Sequence, residues 1–344
     1  MSLIKRVQIT QIIAETPLAK TFVLQPLDNW NPEYKPGQFL TFIFSSVGGE
    51  KRRSYSISST PVLNEQLSIT VKKVDNGEFS RYLLDYYKEG DILFTTGING
   101  FFCLPDSIEK FEQYFFLVAG SGITPAFSLI KTLLAKSSVH IVLIYSNRNE
   151  SDTIFHAELV SLAQQYSERL VLHFLFSYKL ELEYSRLSNT LLSRLLQRYI
   201  RVSYKRAAFY ICGPLTYMQM VSITLISEGI SRQNIKTESF DSTPRKRPNI
   251  PPDLSTHQVT ISLDGEKHVF QAGYPLTILA AAHAKNIELP YSCNTGRCGS
   301  CVAKCTSGEV WMAYNEVLMD VEIEKGLVLT CQSYPLNGDV ELTF

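Results

Sequence analysis

Four cysteines in the C-terminal part of the chain most constrain what it can fold into. Cys293, Cys298 and Cys301 follow a C-x4-C-x2-C spacing, and Cys331 comes after a further 29 residues. This is the spacing of the thiolate ligands of a plant-type [2Fe–2S] cluster. Such a cluster accepts one electron at a time, so the rest of the chain is expected to supply electrons to it.

The loop between the first and third of these cysteines contains Gly296 and Gly299. Because glycine tolerates positive φ angles, the backbone there can wrap around a cluster. The alternatives are a zinc site, disulfides or scattered core thiols. Zinc sites more often show paired C-x2-C motifs or mixed Cys and His ligands, and disulfides are rare in reducing compartments. Cys305 breaks the minimal pattern, and we expect it to be a buried spare thiol rather than a ligand.

Length and composition narrow the class of protein. A chain of 344 residues predicts two or three domains, and its 45% hydrophobic residues suffice for several cores. The formal net charge is zero, so the sequence predicts no general attraction to nucleic acid or to an anionic membrane. No apolar run is long enough to span a bilayer, and residues 1–6 do not resemble a signal peptide. We therefore expect a cytoplasmic protein.

Hydrophobic patterning divides the chain into segments. Residues 1–106 show the alternation of half-buried strands, with one helix near Phe79–Tyr87, which predicts a small antiparallel β-barrel. Residues 107–241 alternate strands and helices, which predicts an α/β domain with a parallel sheet. Residues 242–255 are rich in proline and contain a basic run, which makes them either a docking patch or a solvated linker. Residues 256–344 form a further unit that contains the cysteines.

Arg53-Ser54-Tyr55-Ser56 closes a predicted strand and combines the groups that a flavin requires. A cation can bind the diphosphate of the cofactor, an aromatic ring can stack on its ring system, and hydroxyls can bind its polar edge. Strand alternation places Arg53 and Tyr55 on the same side of the sheet. Taken alone the motif is weak, because a tyrosine in an ordinary strand would look the same.

A second motif strengthens the flavin interpretation. Gly77, Phe79 and Ser80 lie at the start of a predicted helix, whose N-terminal N–H groups can bind diphosphate oxygens. Val71 and Lys72, at the end of the preceding strand, are expected to line the same cofactor site. The alternative is a capped surface helix. The two motifs together, upstream of a nucleotide-binding pattern, predict a bound flavin.

A glycine-containing turn begins the nucleotide-binding pattern. The strand predicted at Tyr114–Ala119 runs into Gly120-Ser121-Gly122-Ile123-Thr124-Pro125 and then into a helix. Glycines let a phosphate approach backbone N–H groups, and proline suits the first position of a helix. Pro125 stands where the third glycine of G-x-G-x-x-G would be, so a standard Rossmann dehydrogenase is disfavoured. The other predicted strands are His140–Tyr145, Val171–Phe176 and Ala208–Ile211, and the predicted helices are Pro125–Ala135 and Ile154–Tyr166.

Two further strand ends could contact a pyridine nucleotide. Cys212-Gly213-Pro214 follows a strand at the edge where open α/β sheets bind ligands, and Cys212 is either a nicotinamide contact or a buried structural cysteine. Asn147 and Arg148 follow another strand and could reach the adenosine ribose or a 2′-phosphate, although Arg148 could also be a plain surface residue. The nucleotide is accordingly NADPH or NADH, with NADPH favoured.

The motifs R-S-Y-S, G-E-F-S, G-S-G-I-T-P and C-G-P occur in the order found in the ferredoxin–NADP reductase superfamily. With the cysteine pattern at its C-terminal end, the chain resembles the three-domain iron–sulfur flavoprotein reductases over essentially its full length. The sequences at 301–304, 308–310, 315–318 and 326–332 are similar to the phenylacetyl-CoA epoxidase type of reductase component.

The resemblance implies an antiparallel barrel that binds FAD rather than FMN, a five-stranded parallel sheet that binds nucleotide, and a β-grasp ferredoxin domain. It also implies that hydride from NAD(P)H is converted to single electrons that leave through the cluster. Thr124 and Cys212 are then candidates for nicotinamide contacts, and Phe240 for a residue that covers the flavin. An oxygenase is the implied acceptor; a hybrid-cluster protein, an acyl-CoA desaturase, or a non-enzymatic role as a redox sensor are alternatives.

Overall fold

A computed structural model describes residues 4–46, 49–74, 77–178, 185–241 and 249–344. The chain forms two units, one built from residues 4–98 and 102–239 and the other from residues 99–101 and 240–344. The basic run of the predicted linker, residues 245–247, lies outside the described residues.

The first part of the larger unit is an antiparallel β-barrel, as predicted. The sheet closes where Ile57 pairs with Ile69, and the Ser58 N–H donates to the Ser68 carbonyl at 2.9 Å. Helix α1 (Glu78–Tyr86) follows the fifth strand. The strands are β1 (Lys5–Thr16), β2 (Ala19–Pro26), β3 (Phe39–Ser46), β4 (Gly49–Ser56), β5 (Ser68–Lys72) and β6 (Ile92–Asn99), in the order β4-β3-β6-β1-β2-β5.

The second part of the larger unit is a parallel sheet with apolar clusters on both faces, which confirms the predicted α/β fold. Its strands are β7 (Gln113–Ala119), β8 (His140–Asn147), β9 (Leu170–Phe176), β10 (Ala207–Cys212) and β11 (Ile235–Glu238), in the order β11-β10-β7-β8-β9. The helices are α2 (Ile123–Lys136), α3 (His156–Gln165), α4 (Asn189–Tyr199) and α5 (Leu215–Ser227). Within the described ranges, no helix combines the length and hydrophobicity needed to cross a membrane.

The start of α2 differs from the prediction. The helix begins at Ile123, so Pro125 is its third residue and not its first. Proline is tolerated there because the N–H groups of the first helical turn have no intrahelical acceptor. The helix therefore starts closer to the glycine turn than the proline alone indicated.

The smaller unit contains a mixed sheet and two short helices, the α+β arrangement expected of a ferredoxin domain. Cys305 lies in β14 and is partly exposed, with its thiol 3.4 Å from the Ser307 carbonyl, so the expectation that it is buried was wrong. The elements are β12 (His257–Leu263), β13 (Glu266–Ala272), α6 (Ile278–Ala284), β14 (Val302–Met312), α7 (Asp320–Glu324), β15 (Leu327–Leu329) and β16 (Ser333–Thr343), with sheet order β13-β12-β16-β14-β15.

Candidate flavin, nucleotide and cluster sites

The start of α1 has the features of a diphosphate site. No side chain of the described residues caps its first N–H groups. The Arg53 guanidinium lies over the Phe79 ring, 5.1 Å from the centroid, and Lys51 lies over the same ring at 5.7 Å. Lys51 is paired with Glu78 at 3.1 Å, whereas Arg53 donates to a backbone carbonyl at 2.8 Å. Arg53 therefore keeps a positive charge available beside open helix N–H groups, which suits a bound diphosphate.

The side chains of the predicted flavin motif point in two directions. Tyr55 shares a face of β4 with Arg53, and burial raises the pKa of its phenol well above the ordinary value, so the phenol stays neutral. Ser54 lies on the other face, where its hydroxyl is 2.9 Å from that of Thr41. Ser56 ends the strand and is buried. The arginine and the tyrosine can thus act on one ligand, while the Ser54 hydroxyl is engaged with Thr41.

Lys72 connects the barrel to the first nucleotide turn. Its Nζ lies 3.7 Å from the point where a Cβ on Gly120 would be, and Gly120 itself has a φ of +55°. Burial lowers the pKa of Lys72, Asp152 raises it, and Arg148 lowers it further. Val71, by contrast, is 1% exposed and its side chain belongs to the barrel core. Lys72 and Arg148 therefore place positive charge beside this turn, where an anionic nucleotide would be stabilised.

The two predicted nucleotide turns lie side by side because β7 and β10 are neighbours in the parallel sheet. A Cβ on Gly122 would be only 2.2 Å from the Cys212 carbonyl oxygen, so this approach requires glycine. Thr124 is buried, and its hydroxyl donates to the Ser121 carbonyl. Since that proton is already used, Thr124 can offer a ligand only an acceptor.

The remaining predicted nucleotide contacts differ in accessibility. Ile123 is fully buried and packs into the core of the α/β domain. The Gly213-Pro214 turn leads directly into α5. Asn147 is 9% exposed at the end of β8, and neither of its amide atoms has a hydrogen-bond partner of normal geometry among the described residues. A buried amide in this state suits a polar ligand. Phe240 is 45% exposed and is grouped with the smaller unit.

Glu238 is a candidate site residue that the sequence patterns did not reveal. It ends β11, directly beside Cys212 of β10, and is 8% exposed. The Ser56 hydroxyl donates to its Oε2 at 3.4 Å. Burial raises the pKa of Glu238 to about 8, and burial together with this carboxyl raises the pKa of the Cys212 thiol well above its ordinary value. Cys212 is therefore a neutral thiol. The sequence feature that could have revealed Glu238 is an acidic residue at the end of the strand next to β10.

The four predicted cluster ligands form two pairs. Cys293 lies beside Cys298, and Cys301 lies beside Cys331; the neighbouring Cys298 thiol lowers the pKa of the Cys293 thiol. Across the described ranges, no set of three His, Cys, Asp or Glu side chains converges on a single metal ion. Two thiolate pairs are the donor set that a [2Fe–2S] cluster needs, because each iron takes two.

The loop that carries three of these cysteines has the predicted backbone. Gly296 has a φ of +76° and Gly299 a φ of +78°. A Cβ on Gly296 would lie 2.9 Å from the Tyr314 carbonyl oxygen, and one on Gly299 would lie 2.8 Å from the Phe101 ring. Both positions therefore favour glycine for its φ and for its lack of a side chain, and they shape the cradle in which a cluster fits.

Comparison with known proteins identifies each part of the chain. Residues 9–103 match an oxidoreductase FAD-binding domain, residues 116–222 an oxidoreductase NAD-binding domain, and residues 261–336 a 2Fe-2S iron-sulfur cluster binding domain. The chain is 32% identical to one of the subunits of 1,2-phenylacetyl-CoA epoxidase from Escherichia coli (strain K12), over 98% of this chain and 96% of that protein. The chain belongs to the ferredoxin–NADP reductase-like family of three-domain iron–sulfur flavoprotein reductases. The reductase therefore uses FAD, a pyridine nucleotide and a [2Fe–2S] cluster, and transfers electrons from the nucleotide to the cluster.

Other relatives are equally similar to this reductase. It is 31% identical to the ferredoxin reductase component of 3-ketosteroid-9-alpha-monooxygenase from Mycobacterium tuberculosis (strain ATCC 25618 / H37Rv), over 98% of its length and 95% of that protein. Phthalate dioxygenase reductase has the same fold, with a TM-score of 0.60 and 23% identity over 98% of this chain and 97% of that one. The reductase type is thus established, while its relatives serve different partners.

Proposed function

We propose that this reductase passes electrons from NAD(P)H, one at a time, to an oxygenase, and that a phenylacetyl-CoA epoxidase-type component is its acceptor. The proposal is supported by relatives that match nearly the whole length of this reductase. They include the protein from the phenylacetyl-CoA epoxidase, at 32% identity, and the reductase components of the 3-ketosteroid and glycine betaine monooxygenases, at 31% and 30%. A ketosteroid oxygenase is the second candidate acceptor, because the identities differ by so little.

In this proposal the barrel holds the FAD. Arg53 and the first N–H groups of α1 bind its diphosphate, with Gly77 and Ser80 shaping the turn that leads into the helix, and Tyr55 packs against its ring system. The Ser80 hydroxyl accepts a hydrogen bond from the Val74 N–H at 3.2 Å. Bound flavin supplies the conversion of a two-electron donor into single electrons.

The nucleotide is proposed to lie across the turns that follow β7 and β10. Lys72 and Arg148 bind its phosphates, which favours NADPH over NADH, and Asn147 binds the adenosine ribose. Thr124 accepts a hydrogen bond from the nicotinamide amide, and the neutral Cys212 thiol packs against the ring. Ser56 and Glu238 can hold a proton beside it, because the Glu238 carboxyl has a pKa near 8.

The proposed assignment of domains is 1–106 for FAD, 107–241 for the nucleotide, 242–255 as a linker and 256–344 for the cluster. Cys293, Cys298, Cys301 and Cys331 are the proposed cluster ligands. A reducing, cytoplasmic compartment suits these free thiols.

Reconstitution tests the proposed acceptor. The reductase is mixed with NADPH and the purified oxygenase components of a phenylacetyl-CoA epoxidase, and epoxide is measured; a 3-ketosteroid monooxygenase is the matched comparison. We expect product in the first mixture at a rate about tenfold above the second, a factor set by modest interface differences. Rapid cytochrome c reduction with no product in either mixture would rule out both oxygenases. Failure to turn over NAD(P)H with any artificial acceptor would instead support a redox sensor.

A further inference from the structure

Arg297 is a buried charge inside the loop that carries the cluster cysteines. It stands between Gly296 and Cys298, and its side chain is 7% exposed. Its Nε donates to Glu316 Oε2 at 3.0 Å, and its Nη1 donates to Asp241 Oδ2 at 3.0 Å. Burying a guanidinium is unfavourable unless it is paired, and two carboxylates pair with this one.

The partners of Arg297 come from distant parts of the sequence. Glu316 lies 19 residues after it, in the segment that follows β14, and Asp241 lies 56 residues before it. Asp241 is the last described residue before the proposed linker and follows Glu238 by three positions in the chain. The arginine therefore fastens the cluster loop to the segment after β14 and to Asp241, within the smaller unit.

The backbone next to Arg297 contacts a proposed cluster ligand. The Thr295 N–H donates to the Cys293 sulfur at 3.4 Å. The Gly296 carbonyl, adjacent to Arg297, accepts from the Glu316 N–H at 3.0 Å. Fixing the Arg297 side chain against Glu316 thus also fixes the backbone that carries an N–H···S bond, and such bonds, together with solvent exposure, set the properties of iron–sulfur clusters.

We propose that Arg297 is a positioning residue for electron transfer into the cluster. Its guanidinium holds the 293–301 loop in a single conformation by binding Glu316 and Asp241 at once. The inference rests on the proposed cluster ligands. A guanidinium suits this role better than an ammonium, because its planar fork can direct separate N–H groups at two carboxylates.

The test follows the two electron-transfer steps of the full-length reductase, loaded with FAD and cluster. Each variant is mixed rapidly with NADPH without oxygen, and flavin reduction and cluster reduction are followed separately by absorbance and by freeze-quench EPR. For Arg297→Gln we expect an unchanged flavin phase and a cluster phase slower by about tenfold or more, since tenfold is the lower end of the factor for a single lost buried charged hydrogen bond and two are lost. The rate of cluster reduction in Arg297→Lys should lie between those of Arg297→Gln and the wild type. Arg206→Gln, which breaks an exposed pair with Glu112, should match the wild type.

Two carboxylate variants separate positioning from simple electrostatics. Arg297→Gln makes the loop more negative, whereas Asp241→Asn and Glu316→Gln each make it less negative. If Arg297 acts by positioning, all three variants slow cluster reduction. The cluster midpoint potential of Arg297→Gln nevertheless shifts in the direction opposite to that of the two carboxylate variants. The inference is overturned if Arg297→Gln slows cluster reduction while the two carboxylate variants accelerate it. It is also overturned if all three variants reduce the cluster at the wild-type rate. If Arg297→Gln does not retain a cluster, the two carboxylate variants decide. A wild-type protein whose cluster NADPH never reduces would contradict the proposed function instead.

Discussion

Arg53 brings a positive charge to the first turn of α1, where open N–H groups already favour an anion. Removing it with Arg53→Ala should weaken FAD binding about tenfold to a hundredfold, the range for one charged hydrogen bond. The measurement is the ratio of FAD to protein after gel filtration. Lys51→Ala is the matched control, since Lys51 faces the same Phe79 ring but is neutralised by Glu78. An Arg53→Ala protein that remains fully yellow would exclude this role for Arg53.

Glu238 predicts a dependence of stability on pH. Burial raises its pKa from 4.5 to about 8, so between these values the folded protein holds a proton that the unfolded chain has lost. The unfolded chain then binds fewer protons, and the free energy of unfolding falls as pH rises from about 4.5 to 8, with a slope of about 1.4 kcal/mol for each step of one in pH. Glu238→Gln should remove this fall and be the more stable protein at pH 8 and above.

Thermal unfolding of both proteins from pH 5 to pH 9 measures the effect of Glu238. Glu109→Gln serves as a control, because Glu109 lies on the surface. Parallel pH curves for Glu238→Gln and the wild type would show that the carboxyl titrates at its ordinary value in the folded protein.

At the scale of elements, the contact between the β7–α2 turn and the β10–α5 turn depends on one missing side chain. Gly122 has an ordinary φ of −61°, so only the approach to the Cys212 carbonyl restricts it. Gly122→Ala should destabilise the protein by about 1–3 kcal/mol, as overpacking does, and should raise KM for NAD(P)H with little loss of FAD. Gly338→Ala is the control, since a Cβ there meets nothing within 4 Å. Unchanged melting temperature and KM in Gly122→Ala would show that the two turns move apart easily.

The existence of strands and helices was predicted from the sequence more reliably than the residues at which they begin and end. Apolar periodicity predicted four strands of the parallel sheet and missed the short β11, and β8 continues to Asn147, two residues beyond the prediction. Strand and helix ends depend on neighbouring elements. The start of α2, for example, is set where Gly122 meets Cys212 and not by Pro125. Local propensity carries no information about that contact.

For the whole molecule, the sequence patterns could suggest only those candidate site residues that are consecutive in the chain. The Arg53–Ser56 and Gly120–Pro125 motifs and the cysteine spacing are of this kind. Glu238 escaped because it meets Ser56 across 182 residues and Cys212 through a strand pairing that no local pattern encodes. The exposure of Cys305 was mispredicted for a similar reason: its position in β14 depends on pairing with β15 and β16.

Two cysteines of the same domain test the route of the electrons through the whole reductase. Cys298→Ser removes one of a thiolate pair and should abolish reduction of cytochrome c, while FAD content and ferricyanide reduction by NAD(P)H stay near wild type. The physical reason is that ferricyanide can take electrons from the flavin, whereas the proposed exit to a protein acceptor is the cluster. Cys305→Ser is the matched control, because its thiol contacts the Ser307 carbonyl in β14 and lies outside the two pairs. It should keep both activities. Undiminished cytochrome c reduction in Cys298→Ser would mean that electrons leave the reductase without passing through the cluster.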